Sequence, residues 1–516
     1  MELLPAQRNV RIEQRRTSLT QRLLESHDGA VIFVDRSRPP AELSTLPFGD
    51  LLRQLHRDAS SHGPVHLLSS RVSSALTVLI VVFVDPAAAT FDLLSTAAKA
   101  WKELAAGRPR RILVAAPHLN ARHQTRALEA MGAAALAGSA SLPQAKSRPA
   151  RTIPLERITL LGTTQIDARR LLATDRGNHL ARWLTVLPPN VLNSRGYRRA
   201  LSQLARRERW GVTTFDRTAL RRLGAGAFLA VARANDNDDA AIVRLRYRAP
   251  RRSRTTPRLT LVGKGICFDT GGINLKPHKS MLHMHEDMQG SAVAVGTLLA
   301  LSAMKVPFDI DCWLAISENE IGARAYRPQE VIRAANGTTI QVIHSDAEGR
   351  MALADTLALA SSDKPELIID YATLTGACIM ALTERYSGVF TNRPTLHPTL
   401  LEAGAASGER VWPFPMDADF DADLESNIAD VVQCTLDSKG DHILAARFLN
   451  HFVPQTIPWI HIDLAASNRT GGLAHIPSDF TGFGVRYSMQ LLLDHGLLPG
   501  KATAQRATGK LASARK

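Results

Sequence analysis

The sequence predicts an α/β protein, built as a small N-terminal α/β domain followed by a larger α/β domain with a central mixed sheet flanked by helices. Three observations predict it. Short apolar runs alternate with helix-periodic stretches along most of the chain. The 516 residues, 45% hydrophobic and 22% charged, have ordinary globular composition and enough length for two cores. In the second half, charged residues gather where apolar strands end, which is where open α/β sheets place their ligands.

Up to about residue 165, strand-like runs at Val31-Ile32-Phe33-Val34, Leu76 to Val84 and Ile112-Leu113-Val114-Ala115 alternate with helix-like stretches such as Phe91 to Leu104, which suggests parallel pairing. The run from Leu76 to Val84 is the longest apolar one. It is far too short to cross a bilayer and reads as a buried strand. Ala133 to Pro149, rich in Ala, Ser, Gly and Pro, reads as surface loop. Asp167 to Leu187 has helical periodicity and stops at Pro188-Pro189-Asn190. This divides the chain into an N-terminal domain (1–165), a connecting helix and linker (166–190), a second domain (191–498) and a tail (499–516).

Ile242 to Arg248 alternates with period two, so Val243, Leu245 and Tyr247 share one face and Arg244, Arg246 and Arg248 the other, where they should be solvated. Leu259 to Val262 reads as a strand that enters a glycine-rich turn, Gly263-Lys264-Gly265, and Met288 to Met304 as a long apolar helix. Phe308 to Ile316, Thr338 to Ile343 and Leu367 to Tyr371 read as further strands, with a helix from Arg350 to Ala360.

The four cysteines form no Cys-x-x-Cys pair, which argues against both a disulfide framework and a thiolate zinc site. Arginines near the N-terminus have no apolar segment behind them, so no secretory signal is visible and the expected compartment is the cytoplasm, without a membrane. The net charge of +15 is unevenly placed. Seven arginines lie between Arg244 and Arg258, and five basic residues with no acidic ones lie in the tail from Pro499 to Lys516, which reads as disordered.

The chemistry concentrates at Lys264, Asp269, Lys276, Asp287, Asp346, Glu348 and Arg350. Four carboxylates in one pocket repel one another unless cations compensate them, and two divalent metals are the natural compensation. Asp346 and Glu348 stand two apart at the end of a predicted strand, so extended backbone would turn both to one side. Asp269 precedes the turn Thr270-Gly271-Gly272, and Asp287 lies just before a helix, where the dipole favours a carboxylate. On spacing alone Asp346, Glu348 and Arg350 read equally as a helix cap with an ion pair. His283 and His285 are competing zinc ligands, though loop histidines are commonly solvated.

The text Val262-Gly263-Lys264-Gly265-Ile266-Cys267-Phe268-Asp269-Thr270-Gly271-Gly272-Ile273-Asn274-Leu275-Lys276-Pro277, then Asp287-Met288-Gln289-Gly290, Ser345-Asp346-Ala347-Glu348-Gly349-Arg350 and Asp370 to Cys378, closely resembles the leucyl aminopeptidase (cytosol aminopeptidase, M17) family. The resemblance extends more thinly from roughly Leu180 to Leu493 and does not reach the first domain. It implies that the second domain is a metallo-aminopeptidase that removes N-terminal, leucine-like residues from peptides through a metal-bridging hydroxide. By the same resemblance Lys264, Asp269, Asp287, Asp346 and Glu348 ligate two metals (Mn or Zn), and Lys276 and Arg350 are catalytic. The resemblance further implies a bicarbonate beside the arginine, a first-residue pocket lined by Met284, Thr373 and Gly376, and assembly as a homohexamer. A lysine binds metal only as the neutral amine, so Lys264 needs a strongly lowered pKa. Some members of the family also bind DNA, so a DNA-binding regulatory role through arginine-rich surfaces is the alternative. The sequence departs from the family at His344, where asparagine is usual, and at Gly440-Asp441-His442-Ile443-Leu444-Ala445-Ala446, which replaces a run that is usually small and uncharged.

Overall fold

The computed structural model describes residues 1–37, 43–58, 65–68, 78–149, 152–235 and 239–498. The basic tail from Pro499 and the start of the Leu76 run lie outside the described residues. The first sheet comprises β1 (Arg11–Arg15), β2 (Gly29–Asp35), β3 (Val65–Leu68), β4 (Val78–Val84), β5 (Arg111–Ala115) and β6 (Arg157–Leu161), in the order β1-β6-β5-β2-β4-β3. Its pairs are parallel except β3 with β4. β2 and β4 are covered on both faces, which is why they read as unbroken apolar runs. Helices Thr90–Ala105 and Ala121–Ser139 bury Leu94, Trp101, Leu128 and Met131 against one of those faces.

The loop expected from Ala133 begins later. The Ala121–Ser139 helix continues through Ala133, Ala134 and Ala135, all buried. Alanine is the best helix former, and its small side chain lets the helix lie close to its neighbours. At Gly138 an added Cβ would lie 2.1 Å from Trp101 Nε1.

The connecting helix spans Ala168–Val186. The Asp167 carboxylate caps it by accepting from the Arg170 N–H, and it stops before Pro188. It packs on the Gln289–Ala303 helix so closely that a Cβ at Gly177 would lie 2.3 Å from Gly296 O.

The second sheet is mixed and eight-stranded. It contains β7 (Gly211–Phe215), β8 (Ala241–Tyr247), β9 (Arg258–Asp269), β10 (Asp309–Asn319), β13 (Leu367–Ala372), β14 (Ser387–Thr391), β15 (Val411–Pro413) and β17 (Trp459–Asp463), in the order β15-β14-β17-β13-β9-β10-β8-β7. A small sheet joins β11 (Val331–Arg333), β12 (Thr339–Gln341) and β16 (Val431–Val432). The centre of the large sheet, β17, β13, β9 and β10, is parallel, so four carboxyl ends open on one edge. One core packs the Ala168–Val186, Gln289–Ala303 and Val485–Asp494 helices on one face, and a second packs Glu348–Ser361 and Asp441–Asn450 on the other. Among the described residues no helix is long and apolar enough to cross a membrane. All four cysteines are buried and unpaired.

Three local expectations change. Gly263-Lys264-Gly265 is no turn, because β9 runs through it to Asp269 and its two glycines permit close packing. The strand expected over Thr338 to Ile343 is reduced to Thr339–Gln341, leaving Asp346 in a turn and Glu348 in the first turn of a helix. Of the three arginines expected in solvent, Arg244 and Arg248 are ion-paired, while Arg246 stays partly exposed and donates to Thr213 Oγ1. Arg244 pairs with Asp363 and, at 3.0 Å, with the fully buried Asp311, and its guanidinium lies over Trp313. Arg248 and Arg252 reach Asp309 at 3.6 and 3.0 Å. Buried carboxylates on β10 require these cations, so this surface offers less free charge to a nucleic acid than the sequence suggests.

The glycine crossing generates a test. Gly177→Ala is expected to destabilise the fold by about 1–3 kcal/mol, because backbone cannot yield as a flexible side chain can. The measurement is the urea midpoint, and an unchanged midpoint would show that the two helices separate freely.

Candidate metal and catalytic site

The carboxyl edge of the parallel strands brings Lys264, Asp269, Lys276, Asp287, Asp346 and Glu348 into one cluster. Lys264 and Asp269 are five apart on β9, so simple alternation would put them on opposite faces. A bulge reverses the alternation: β9 uses three residues from Ile266 to Asp269 while β10 uses two from Ser317 to Asn319. Asp269 is then held by Asn319 Nδ2, which donates to its Oδ1 at 2.8 Å, and by the Gly271 N–H at 2.9 Å.

The chain next folds back on itself. Gly271 and Gly272 both have positive φ, 85° and 66°, and the Lys276 N–H donates to Thr270 O at 2.9 Å to close the loop. Ser345 ties that loop to the next one, its hydroxyl donating to Gly271 O and accepting from the Asn274 N–H. Lys276 Nζ consequently lies 2.9 Å from Asp269 Oδ2 and 2.5 Å from Asp346 Oδ1.

Lys264 occupies the floor. Its Nζ lies 2.8 Å from Asp287 Oδ1 and 2.9 Å from Glu348 Oε1, and donates to Thr373 O at 3.0 Å. Two glycines make this possible. A Cβ at Gly349 would lie 2.6 Å from Lys264 Cε, and one at Gly263 would lie 2.4 Å from Ser291 Cα, in the helix that follows Asp287. Thr373 Oγ1 also donates to Asp287 Oδ1 at 2.8 Å.

Burial pushes the Asp346 and Glu348 carboxyls up to about 6, with Asp269 adding repulsion at both. Burial raises Asp287 well above the usual carboxylate range even against Lys264. Burial also disfavours the Lys264 charge, but Asp287, Glu348 and Asp269 outweigh it and hold the ammonium above the ordinary lysine value. This is opposite to the lowering that ligation by a neutral amine would require, and a bound divalent cation's own charge would have to supply it.

Asp269, Asp346 and Glu348 each place a carboxylate oxygen within 4.8 Å of the others, the one grouping of this kind among the described residues. Asp287 Oδ2 is buried with no hydrogen-bond donor. Hard oxygen donors at this spacing, with one oxygen unsatisfied, fit divalent cations. His283 is exposed and His285 lies edge-on to Phe480 at 6.0 Å; neither belongs to the grouping.

Residues 179–489 match the family described as the cytosol aminopeptidase family, catalytic domain. The chain belongs to the cytosol aminopeptidase family. It is 33% identical over 476 residues to a probable cytosol aminopeptidase of Synechococcus sp. (strain JA-3-3Ab), covering 88% of this chain and 92% of that protein. A probable cytosol aminopeptidase of Parasynechococcus marenigrum (strain WH8102) is 38% identical over 337 residues, covering 64% and 68%. Among solved structures, a tomato leucine aminopeptidase mutant superimposes with TM-score 0.82 at 26% identity, covering 95% of this chain and 98% of that one. The bottromycin maturation enzyme BotP in complex with Mn gives 0.77 at 28% identity, covering 90% and 98%. As a cytosol aminopeptidase family member the protein is a metallo-aminopeptidase.

The remaining sequence candidates lie around the cluster. Met284 is half-buried in the short helical turn before Asp287, and Gly376 opens the Gly376–Leu382 helix with nothing within 4 Å of an added Cβ. Arg350 is buried but ion-pairs with Asp441 instead of the cluster. Sequence reasoning missed Asn319, Ser345 and Asp463. Asp463 accepts from the Leu374 N–H at 3.1 Å and Thr375 Oγ1 at 2.7 Å, fixing the loop that carries Thr373. The one available signal for Asn319 was the polar run Ser317-Glu318-Asn319 that ends an apolar strand.

The raised carboxyls generate a pH prediction. Their folded pKa values exceed the ordinary ones, so the stability they contribute to the metal-free protein is present at low pH and is lost as pH rises towards about 6. Cation binding needs the ionised forms and releases protons. Apparent metal affinity, measured by equilibrium dialysis at fixed, limiting free metal, is therefore expected to weaken as pH falls below about 6. Equal affinity well above and well below that point would contradict the assignment.

Proposed function

We propose that Lys264, Asp269, Asp287, Asp346 and Glu348 hold two divalent cations and that the enzyme uses them to remove a single, leucine-like residue from the N-terminus of peptides. The single observation that carries this reading is the convergence of four carboxylates and two lysines at the carboxyl edge of the sheet, with Asp287 Oδ2 left without a donor. The Mn complex of a structural neighbour supports manganese as one occupant, with zinc the other expected metal. When bound, such a pair polarises the scissile carbonyl, activates water and provides an anchor for a free α-amino group.

The chain's own residues do the rest. Lys276 is held above the ordinary lysine value despite burial, by Asp269, Glu348 and Asp346, so it remains an ammonium. With those carboxylates engaged by cations, Lys276 would be held less tightly by them and could donate its N–H groups to the developing oxyanion. Thr373 and Asp463 fix the loop opposite, and the open space at Gly376 suits an apolar first side chain, with Met284 proposed as a further wall. A homohexamer and a cytoplasmic location accompany this reading, the latter supported by relatives named as cytosol enzymes.

Lys276→Ala is expected to keep both metals and lose on the order of a hundredfold to a thousandfold in kcat. Lys264→Ala should lose metal as well as activity. Metal analysis beside steady-state kinetics checks both, and equal metal content with equal small rate losses would overturn the two roles.

Substrate polarity offers an independent check. Acetylating the α-amino group of a leucyl peptide should stop cleavage, whereas comparable rates on blocked and free peptides would indicate an endopeptidase.

A further inference from the structure

Of the two residues that the family resemblance implies are catalytic, Arg350 stands apart, since its guanidinium makes no ion pair with the carboxylate cluster. One terminal nitrogen donates to Asp441 Oδ1 at 2.7 Å, the other donates to Gln433 O at 3.2 Å, and Nε is buried without a partner. The Arg350 side chain is 3% exposed, so its charge requires a nearby anion, and Asp441 is the one carboxylate within ion-pair distance among the described residues.

Asp441 is well placed to be that anion. It is the first residue of the Asp441–Asn450 helix, where the dipole favours a carboxylate, and Gly440 enters that helix with φ 62°, a conformation suited to glycine.

The bicarbonate implied by the family resemblance does not fit here. It would have to share the guanidinium with Asp441, which already holds one terminal nitrogen at 2.7 Å, and a second anion beside that carboxylate would be repelled. We propose that Asp441 is the resident counter-anion of Arg350, and that this enzyme turns over without bicarbonate. The inference rests on the proposed aminopeptidase reading and on the catalytic role that the family resemblance implies for Arg350. Asp441 acts through Arg350 as a positioning residue, holding the guanidinium in one orientation with a bond that the helix N-terminus keeps in register.

The metal-loaded wild-type enzyme and Asp441→Ala are assayed on a leucyl peptide in carbon-dioxide-free buffer, with and without added bicarbonate or formate. Wild-type turnover should be the same in all three. Asp441→Ala should lose on the order of a hundredfold in kcat with little change in KM, and regain rate saturably with either anion, while Asp441→Glu keeps most activity without one. In calorimetry on the metal-free proteins, formate should bind Asp441→Ala and not the wild type.

Stimulation of the wild type by bicarbonate, or equal formate binding by both proteins, would overturn the proposal. So would an alanine variant that is folded, inactive and unresponsive to either anion. The wild-type arms decide the matter even if the variant fails to fold. Absence of any wild-type turnover would count against the aminopeptidase reading, while the calorimetric arm would still judge the Asp441 assignment.

Discussion

The constraint on which the rest of the site depends is the burial of four carboxylates and two lysines in one place. Each ion loses hydration on entering the sheet edge, and mutual repulsion among Asp269, Asp287, Asp346 and Glu348 adds to that cost. In the metal-free chain the two lysines offset only part of it. Asp346 and Glu348 accordingly remain hard to ionise, at about 6. A largely buried cluster with more anionic than cationic groups, and with Asp287 Oδ2 lacking a donor, has the charge balance that a bound cation would complete. The lysines are its provisional cations.

Holding such a cluster together demands backbone that cannot relax, and the fold supplies it through close contacts at glycine. The backbones of β9 and of the helix after Asp287 meet at Gly263, and Gly290 comes so near β13 that a Cβ there would lie 2.1 Å from Tyr371 O. These contacts lock three elements that each carry a functional group: Lys264 and Asp269, then Asp287, then Thr373. The connecting helix, pressed against the same Gln289–Ala303 helix at Gly177 and Gly296, stiffens this layer from behind. Rigidity at the site thus comes from packing of small residues in the layer beneath it, and the loops that carry Lys276 and Asp346 are tied to it by Ser345.

The architecture was legible because its strands are buried on both faces and its helices follow a clear period. Val78–Val84 and Asp309–Asn319 announce themselves as apolar runs, and the Pro188-Pro189 stop is a covalent fact. The cluster was legible through residue types and spacing in Lys264 to Glu348. What the sequence hid was geometry without a local signature. The bulge that turns Asp269 to the face of Lys264 leaves no mark in the text. Lys264 therefore reads as part of a turn that does not exist, whereas the turn after Asp269 is real. Asp346 and Glu348 converge through a turn and a helix start, although strand alternation would have brought them together equally well. The alanine segment before Ser139 lost its helix to a composition that loops share.

Arginine placement shows how far charge counts mislead when pairing is unknown. A net charge of +15 suggests a surface looking for anions, yet Arg244, Arg248 and Arg252 balance Asp309 and Asp311, which β10 buries near its start. Arg350 is treated in the same way by Asp441. In each case a buried charge on one element is answered by an opposite charge on a neighbouring one, and the chain needs no outside ion. The carboxylate cluster breaks that pattern, because its lysines are too few and one of its oxygens has no donor. That contrast, internal neutralisation at the arginines and incomplete neutralisation at the carboxylates, separates the charges that stabilise this protein from the charges that wait for a ligand.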